Sequence, residues 1–342
     1  MSKEYEKTPI RDIFPVPDCT LTQVEYRTSI RNYAIPPWFN PEFQALRQGP
    51  EILREASLFI SKLYNEHSTE GFENDLAEFI YFSNAIEDAG LNKPETWRIV
   101  KQILADEFVE DDEEFLSQPS RFSKILHRKE VIQHVHAYLY LQKTLSKNFL
   151  TEAILLEAHK VLLRGIPAAR GEQGYQGKYR EVAVQVGRPT IEGGVESPVS
   201  LEKVEPLMAR WIEDFSNFQQ ISVKDPIAAA ASLKLRFVYI HPFLDGNGRM
   251  SRLLFNILLG QHYPHILCIF GENARERTRY QHAIHQTIHK DNARIFSFYA
   301  LRRTVKSVIR QLDNIQQSHG DTSASAQASV MVAKLEPIMG KT

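Results

Sequence analysis

Apolar residues recur at helical spacing along most of this chain, and each repeat stops at a polar or glycine-rich break. Phe43 to Tyr64 carries one repeat and Asn74 to Glu87 a second, with Leu76 and Ile80 on one stripe and Asp88-Ala89-Gly90 as its end. Further helices are predicted from Arg128 to Leu145 and from Thr151 to Leu163, the latter with Thr151 as N-cap and Gly165 as stop. Ser200 to Phe215 is helical too. Asp225-Pro226 reads as an N-cap and a first-turn proline opening a helix to about Ile240. Arg249 to Leu259 is apolar on most faces, as a core helix must be, Gly260 stops it, and Arg294 to Ile315 gives one more helix. The period drops to two only at Val182, Val184 and Val186, with Ile191 and Val195 beyond Pro189 as the return strand. The expectation is a helical protein with one inserted hairpin. Residues 1 to about 40, proline-rich and without periodicity, read as an extended arm, and Ser318 to Ala333, rich in Ser, Ala and Gln, as a mobile tail.

Composition narrows the function. With 43% apolar and 24% charged residues over 342 positions, the chain can bury a real core. Its 41 Lys and Arg nearly cancel its 42 Asp and Glu, so no global field draws it to nucleic acid or to a membrane surface. Any charged ligand must be met by a local site. Cys19 and Cys268 are the only cysteines and lack metal-ligand spacing, which suits a reducing compartment, the cytoplasm or the nucleus. Met1 to Phe14 carries charges where a secretory leader needs an apolar core, and polar residues interrupt the apolar stretch Leu253 to Phe270, so no membrane segment is expected. The acidic cluster from Asp106 to Glu114 reads as a solvated face or loop.

Chemistry concentrates in His241-Pro242-Phe243-Leu244-Asp245-Gly246-Asn247-Gly248-Arg249-Met250-Ser251-Arg252, between two predicted helices. Glycines just before a helix N-terminus make an anion site: the first N–H groups there are unpaired, and Gly246 and Gly248 let phosphate oxygens come close without a Cβ in the way. Arg249 and Arg252 are three apart, share a face and can fork onto phosphates. Asp245 is the hard oxygen ligand that a Mg²⁺ riding on a diphosphate wants. His241 titrates near neutrality and is the natural general base.

The twelve residues resemble the Fic family motif, His-Pro-Phe-x-(Asp/Glu)-Gly-Asn-Gly-Arg-x-x-Arg, at every specified position. The resemblance runs from about Glu114 to Arg303, with Tyr280 where the family often places an aromatic against the base, and Gly177-Lys178-Tyr179-Arg180 with the valines resembling the family's target-docking flap. It implies an all-α Fic fold with a small β-hairpin flap, and transfer of AMP from ATP to a Ser, Thr or Tyr hydroxyl of a protein target docked on that flap, releasing pyrophosphate. By the same resemblance His241 deprotonates the hydroxyl and Asp245 holds Mg²⁺. The Gly246 to Gly248 backbone, with Asn247 and Arg249, cradles the α- and β-phosphates, and Arg252 takes the γ-phosphate. Phosphorylating relatives have Lys at the position of Gly248, which favours AMP transfer here but leaves UMP or another nucleotide open.

A second constellation lies upstream. Leu76, Ile80, Ser83 and Glu87 share one stripe, so Glu87 points inward near a helix C-terminus, where a carboxylate needs a cation; a frayed, solvated last turn is the alternative. Fic proteins with an N-terminal inhibitory helix carry (Ser/Thr)-x-x-x-Glu-(Gly/Asn), whose Glu pairs with the last motif Arg. Ser83 and Glu87 fit. Asp88 departs from the Gly or Asn that usually follows and enters the left-handed conformation less readily, which leaves the strength of inhibition open. The division expected is an N-terminal extension over 1–70, an inhibitory helix and linker over 71–113, the catalytic domain over 114–315 and a flexible tail over 316–342.

The remaining patterns are read as structural. His282, His285 and His289 have helical spacing, but no carboxylate or Cys completes a metal set. Gly171 to Lys178 has the wrong glycine spacing for a phosphate loop, and Trp38, Trp97 and Trp211 are packing anchors. Removal of AMP from a modified protein and a catalytically silent Fic-fold interaction module stay open as rivals, as does a homodimer.

Overall fold

The computed structural model describes residues 33, 43–66, 70–107, 109, 119–167, 174–187, 195–196, 198–221, 225–290, 292–319 and 323–340. Its helices are α1 (Phe43–Glu66), α2 (Glu70–Ala85), α3 (Lys93–Leu104), α4 (Pro119–Leu145), α5 (Glu152–Leu162), α6 (Leu201–Ser216), α7 (Phe218–Ile221), α8 (Pro226–Ile240), α9 (Asn247–Gly260), α10 (Ala274–His289), α11 (Arg294–His319) and α12 (Ser323–Met339). Two strands, β1 (Val186–Gly187) and β2 (Val195–Glu196), pair antiparallel between α5 and α6. The architecture is all-α. α8 and α9 form the central pair, α4 and α5 pack together beside α9, α2 and α3 lie against α4, and α11 backs α8 and α10. Phe237, Phe243, Met250, Leu254 and Phe255 are wholly buried between these layers, so the loop joining α8 to α9 rests on the core.

Several helix ends form as the sequence predicts. The Thr151 hydroxyl accepts from Ile154 N–H, and the Asp225 carboxylate accepts from Ala228 N–H ahead of Pro226. Asp225 also accepts from the Tyr33 hydroxyl at 2.8 Å; the remaining residues of the expected arm over 1–40 lie outside the described residues.

Three expectations are corrected. Residues 323–339 of the expected mobile tail form a packed helix: α12 lies on α11 and α1, burying Ala328, Met331, Leu335 and Ile338. Their three- and four-residue spacing is a narrow apolar stripe diluted by Ser and Ala, which is why composition hid it. Helix α3 occupies what was read as linker; Asn92 caps it by accepting from Glu95 N–H, with Pro94 in its first turn. The hairpin is smaller than the valine alternation suggested. Val182 and Val184 lie outside the ladder, Val182 is exposed, and Ile191 falls outside the described residues.

Leu335→Ala is expected to lower unfolding stability by about 2–5 kcal/mol, against no more than about 0.5 kcal/mol for exposed Val330→Ala. Chemical denaturation of both variants checks it; equal small effects would restore the mobile tail.

Candidate active site

α8 delivers His241 and ends there, its N–H donating to Phe237 O at 2.9 Å while its own backbone turns left-handed at φ 51°. A non-glycine residue in that region carries strain, so the surroundings must fix it. At the other end of the loop Gly246 is also left-handed, at φ 77°, and a Cβ there would meet Leu163 Cδ1 at 2.9 Å. Glycine is required on both counts. Between them the Asn247 amide closes the loop on itself, donating to Phe243 O at 2.8 Å and accepting from Phe243 N–H at 3.0 Å. The Asn247 amide thus braces the loop, while its backbone stands at the α9 N-terminus.

Arg249 and Arg252 leave the first two turns of α9 and are both buried. Arg249 lies 3.7 Å from Glu130 Oε1 and 3.8 Å from Asp245 Oδ1, and its Nε has no hydrogen-bond acceptor among the described residues. Asp245 is 39% exposed, so its carboxylate can meet a ligand from solvent. No group of three or more His, Cys, Asp or Glu among the described residues could hold a metal, and His282, His285 and His289 do not make a site. Asp245 is a single exposed carboxylate beside the α9 N-terminus, a hard donor able to fill one position of a divalent ion whose other ligands came from water or a bound anion.

The upstream constellation meets the motif. Arg252 donates from Nε to the Ser83 hydroxyl at 2.8 Å, and from Nη2 to Ser83 O at 2.7 Å and Glu87 Oε1 at 2.8 Å. Glu87 lies in the turn after α2, not within the helix, and is 37% exposed. Asp88 takes the left-handed conformation at φ 52° despite not being glycine, and the Asn84 carbonyl accepts from both Glu87 and Ala89 N–H. Glu87 Oε1 sits directly over Gly248, where a Cβ would meet it at 2.0 Å. Burial pushes the Glu87 carboxyl up, but Arg252, with Arg249 and His241 behind it, outweighs burial and holds it below the usual carboxylate range.

Tyr280 is buried. Its hydroxyl accepts from Lys234 Nζ at 2.8 Å, and its ring stands 5.9 Å from the Arg252 guanidinium carbon. Burial alone would raise its pKa; Lys234 and Arg252 together bring it below the ordinary tyrosine value. Tyr280 backs Arg252.

Sequence reasoning missed the residues that hold this arrangement. His159 of α5 stacks on Phe243 at 3.7 Å, accepts from Gly177 N–H at Nδ1 and donates from Nε2 to Asp245 O at 3.0 Å. Only the neutral imidazole can do both, and burial holds its pKa down at about 4. Buried His134 bonds Asn84 Oδ1 at 2.8 Å, and burial, with Arg249 and Arg252, likewise holds it neutral. Glu130 Oε2 accepts from Gly90 N–H, and Arg277 donates to Ala85 O, so the Glu87 turn is held from both sides. Arg180 bonds the His241 carbonyl. Trp211 is a core anchor, donating to Leu233 O, Trp97 packs on Tyr81, and Trp38 lies outside the described residues.

The chain is similar in sequence and in fold to known proteins. Residues 149–259 match the Fic/DOC family. A protein adenylyltransferase Fic of Culex quinquefasciatus is 31% identical over 192 residues, 53% of this chain and 36% of its own length. The protein of that name from Drosophila erecta is 28% identical over 206 residues, 60% of this chain and 36% of its own. The chain therefore spans about a third of the length of the curated relatives it matches. Among solved structures, a Fic family protein from Desulfovibrio desulfuricans superposes with a TM-score of 0.56 at 20% identity over 90% of each chain. A Fic domain containing signaling protein from Bacteroides thetaiotaomicron gives 0.55 at 19% identity over 86% of this chain and 99% of its own. At such identities the likeness concerns fold alone, and that fold is the helical one described above. Among the described residues no helix is long and apolar enough to cross a membrane.

The buried neutral histidines set a pH dependence. In the unfolded chain they take protons as pH falls through 6.5, whereas in the fold His159 stays neutral to about 4 and His134 well below 6.5. Their contribution is therefore flat above 6.5 and destabilising as pH falls from there towards 4, by about 1.4 kcal/mol per pH unit for each unmatched proton. Denaturant midpoints measured between pH 7.5 and 4.5 should fall; in His159→Phe, which cannot protonate, the slope should be shallower than in the wild type.

Proposed function

Because the chain carries a Fic domain over residues 149–259, we propose that the protein is an autoinhibited adenylyltransferase that moves AMP from ATP to a hydroxyl side chain of a protein target. The observation that carries the reading is a carboxylate, Glu87, seated over Gly248 and bonded to Arg252 at the N-terminus of α9. That place is built for an anion. Phosphate oxygens would find the unpaired N–H groups of the α9 terminus, the Arg249 Nε and the Arg252 fork. His241 accepts the hydroxyl proton, the oxygen attacks the α-phosphorus, and the bond to the β-phosphate breaks with pyrophosphate leaving. Asp245 would hold Mg²⁺ carried by the nucleotide, and when bound the ion offsets charge on the phosphates.

Inhibition follows from one guanidinium with two partners. While Arg252 Nη2 serves Glu87 it is withheld from a γ-phosphate, and the carboxylate repels a triphosphate and displaces it from in-line geometry. A second reading, removal of AMP from a modified protein, has one observation in its favour: the Glu87 carboxylate is 37% exposed and so open to a water it could orient.

Intact-mass analysis of Glu87→Gly with ATP and Mg²⁺ is expected to show added AMP, about tenfold or more above wild type, and Glu87→Gly with Arg252→Ala should lose most of that gain. Equal modification in wild type and Glu87→Gly would sink the inhibition. In the Glu87→Gly background, His241→Ala should cut transfer by about 10²- to 10⁴-fold while nucleotide still binds, and Asp245→Ala should raise the Mg²⁺ midpoint. Faster release of AMP from a modified target by wild type than by Glu87→Gly would favour the second reading.

A further inference from the structure

We propose that Arg180 is a positioning residue that sets His241 and ties it to the flap. The inference rests on the transfer reading for what His241 does, and on geometry for everything else. The Arg180 side chain is buried, 6% exposed, and its donors go to main-chain carbonyls of three separate segments. Nε donates to His241 O at 2.8 Å. Nη2 donates to Val199 O and, at 3.5 Å, to Ile240 O, while Nη1 reaches Val182 O at 3.4 Å. The Arg180 backbone N–H adds a bond to Pro242 O at 2.8 Å.

These acceptors explain why an arginine stands here. Ile240 and His241 end α8, whose last carbonyls have no partner within the helix and carry the negative end of its dipole, so a buried cation satisfies both demands. Only a planar fork reaches several carbonyls at once; a lysine ammonium would reach fewer in fixed directions. The bond to His241 O acts on the residue whose backbone is left-handed, and removing it frees that backbone to relax toward an ordinary conformation. The imidazole would move with it.

The second consequence comes from chain order. Val182 and Val199 bracket the segment that contains β1 and β2, so one guanidinium holds both roots of the flap and the carbonyl of the base. Displacing the flap displaces the fulcrum on which His241 sits. Arg180 thereby couples the surface that would dock a target to the group that would take its proton, without touching either target or nucleotide.

The test uses the full chain in the Glu87→Gly background. Arg180→Lys should lower the transfer rate by about 10- to 100-fold while calorimetric affinity for Mg·ATP stays within about twofold. Millimolar guanidinium ion should restore part of the rate to Arg180→Ala and none to His241→Ala. Without nucleotide, hydrogen exchange in Arg180→Lys should accelerate both at 181–187 and at 241–246. A rate for Arg180→Lys equal to its parent, or exchange that rises in the flap while 241–246 stays protected, overturns the proposal. Should Arg180→Ala fail to fold, the Lys variant decides. If Glu87→Gly transfers nothing, the transfer reading falls and the exchange result alone judges the coupling.

Discussion

Arg249 and Arg252 are buried a turn apart at the positive end of α9, and most of what surrounds them answers that charge. A buried guanidinium is tolerated only with acceptors or countercharge close by. Glu130 and Asp245 flank the first, Ser83, Glu87 and Tyr280 the second. The neutrality of His134 belongs to the same field, since a third cation beside the two arginines would have no compensation.

This charge requirement also explains why so many elements converge. Supplying acceptors to one helical turn draws in α2, α4 and α10, and the loop itself is braced separately by His159 and Arg180 through main-chain carbonyls. Backbone acceptors were a natural choice for the braces. They hold the chain's path without adding negative charge that would compete with a phosphate.

What was legible in the sequence follows the same division. The motif from His241 to Arg252 could be read because its chemistry is contiguous, and Glu87 because the resemblance to (Ser/Thr)-x-x-x-Glu supplied its partner, the apolar stripe by itself leaving a solvated last turn open. His159 and Arg180 could not be read, since their acceptors are carbonyls 86 and 61 residues away and any residue supplies a carbonyl. Asn247 stands where the resemblance puts a phosphate ligand, but the bracing of the loop by its amide on Phe243 gave no sequence signal. For α3, Asn92 and Pro94 are the signal of a helix start, but the helix they open is short and runs into an acidic segment without a glycine stop. α12 was lost because small residues on its stripe lower the apolar contrast.

The setting of Glu87 has a consequence for the speed of any switch. α2 buries Leu76, Phe79 and Ile80 in the core, and its Asp75 and Glu78 are ion-paired to Arg310 of α11, so the helix cannot swing away without breaking the body of the protein. Glu87 itself stands beyond the helix end, partly exposed. Its carboxylate can leave Arg252 by rotating about side-chain bonds, a movement of nanoseconds, whereas undocking a packed helix takes microseconds or longer. On the proposed reading of Glu87 as inhibitor, the inhibited and open forms would differ by a side-chain rotation and share one hydrodynamic radius. The balance between them would be set by how strongly the competing anion binds, with no slow opening step ahead of nucleotide entry.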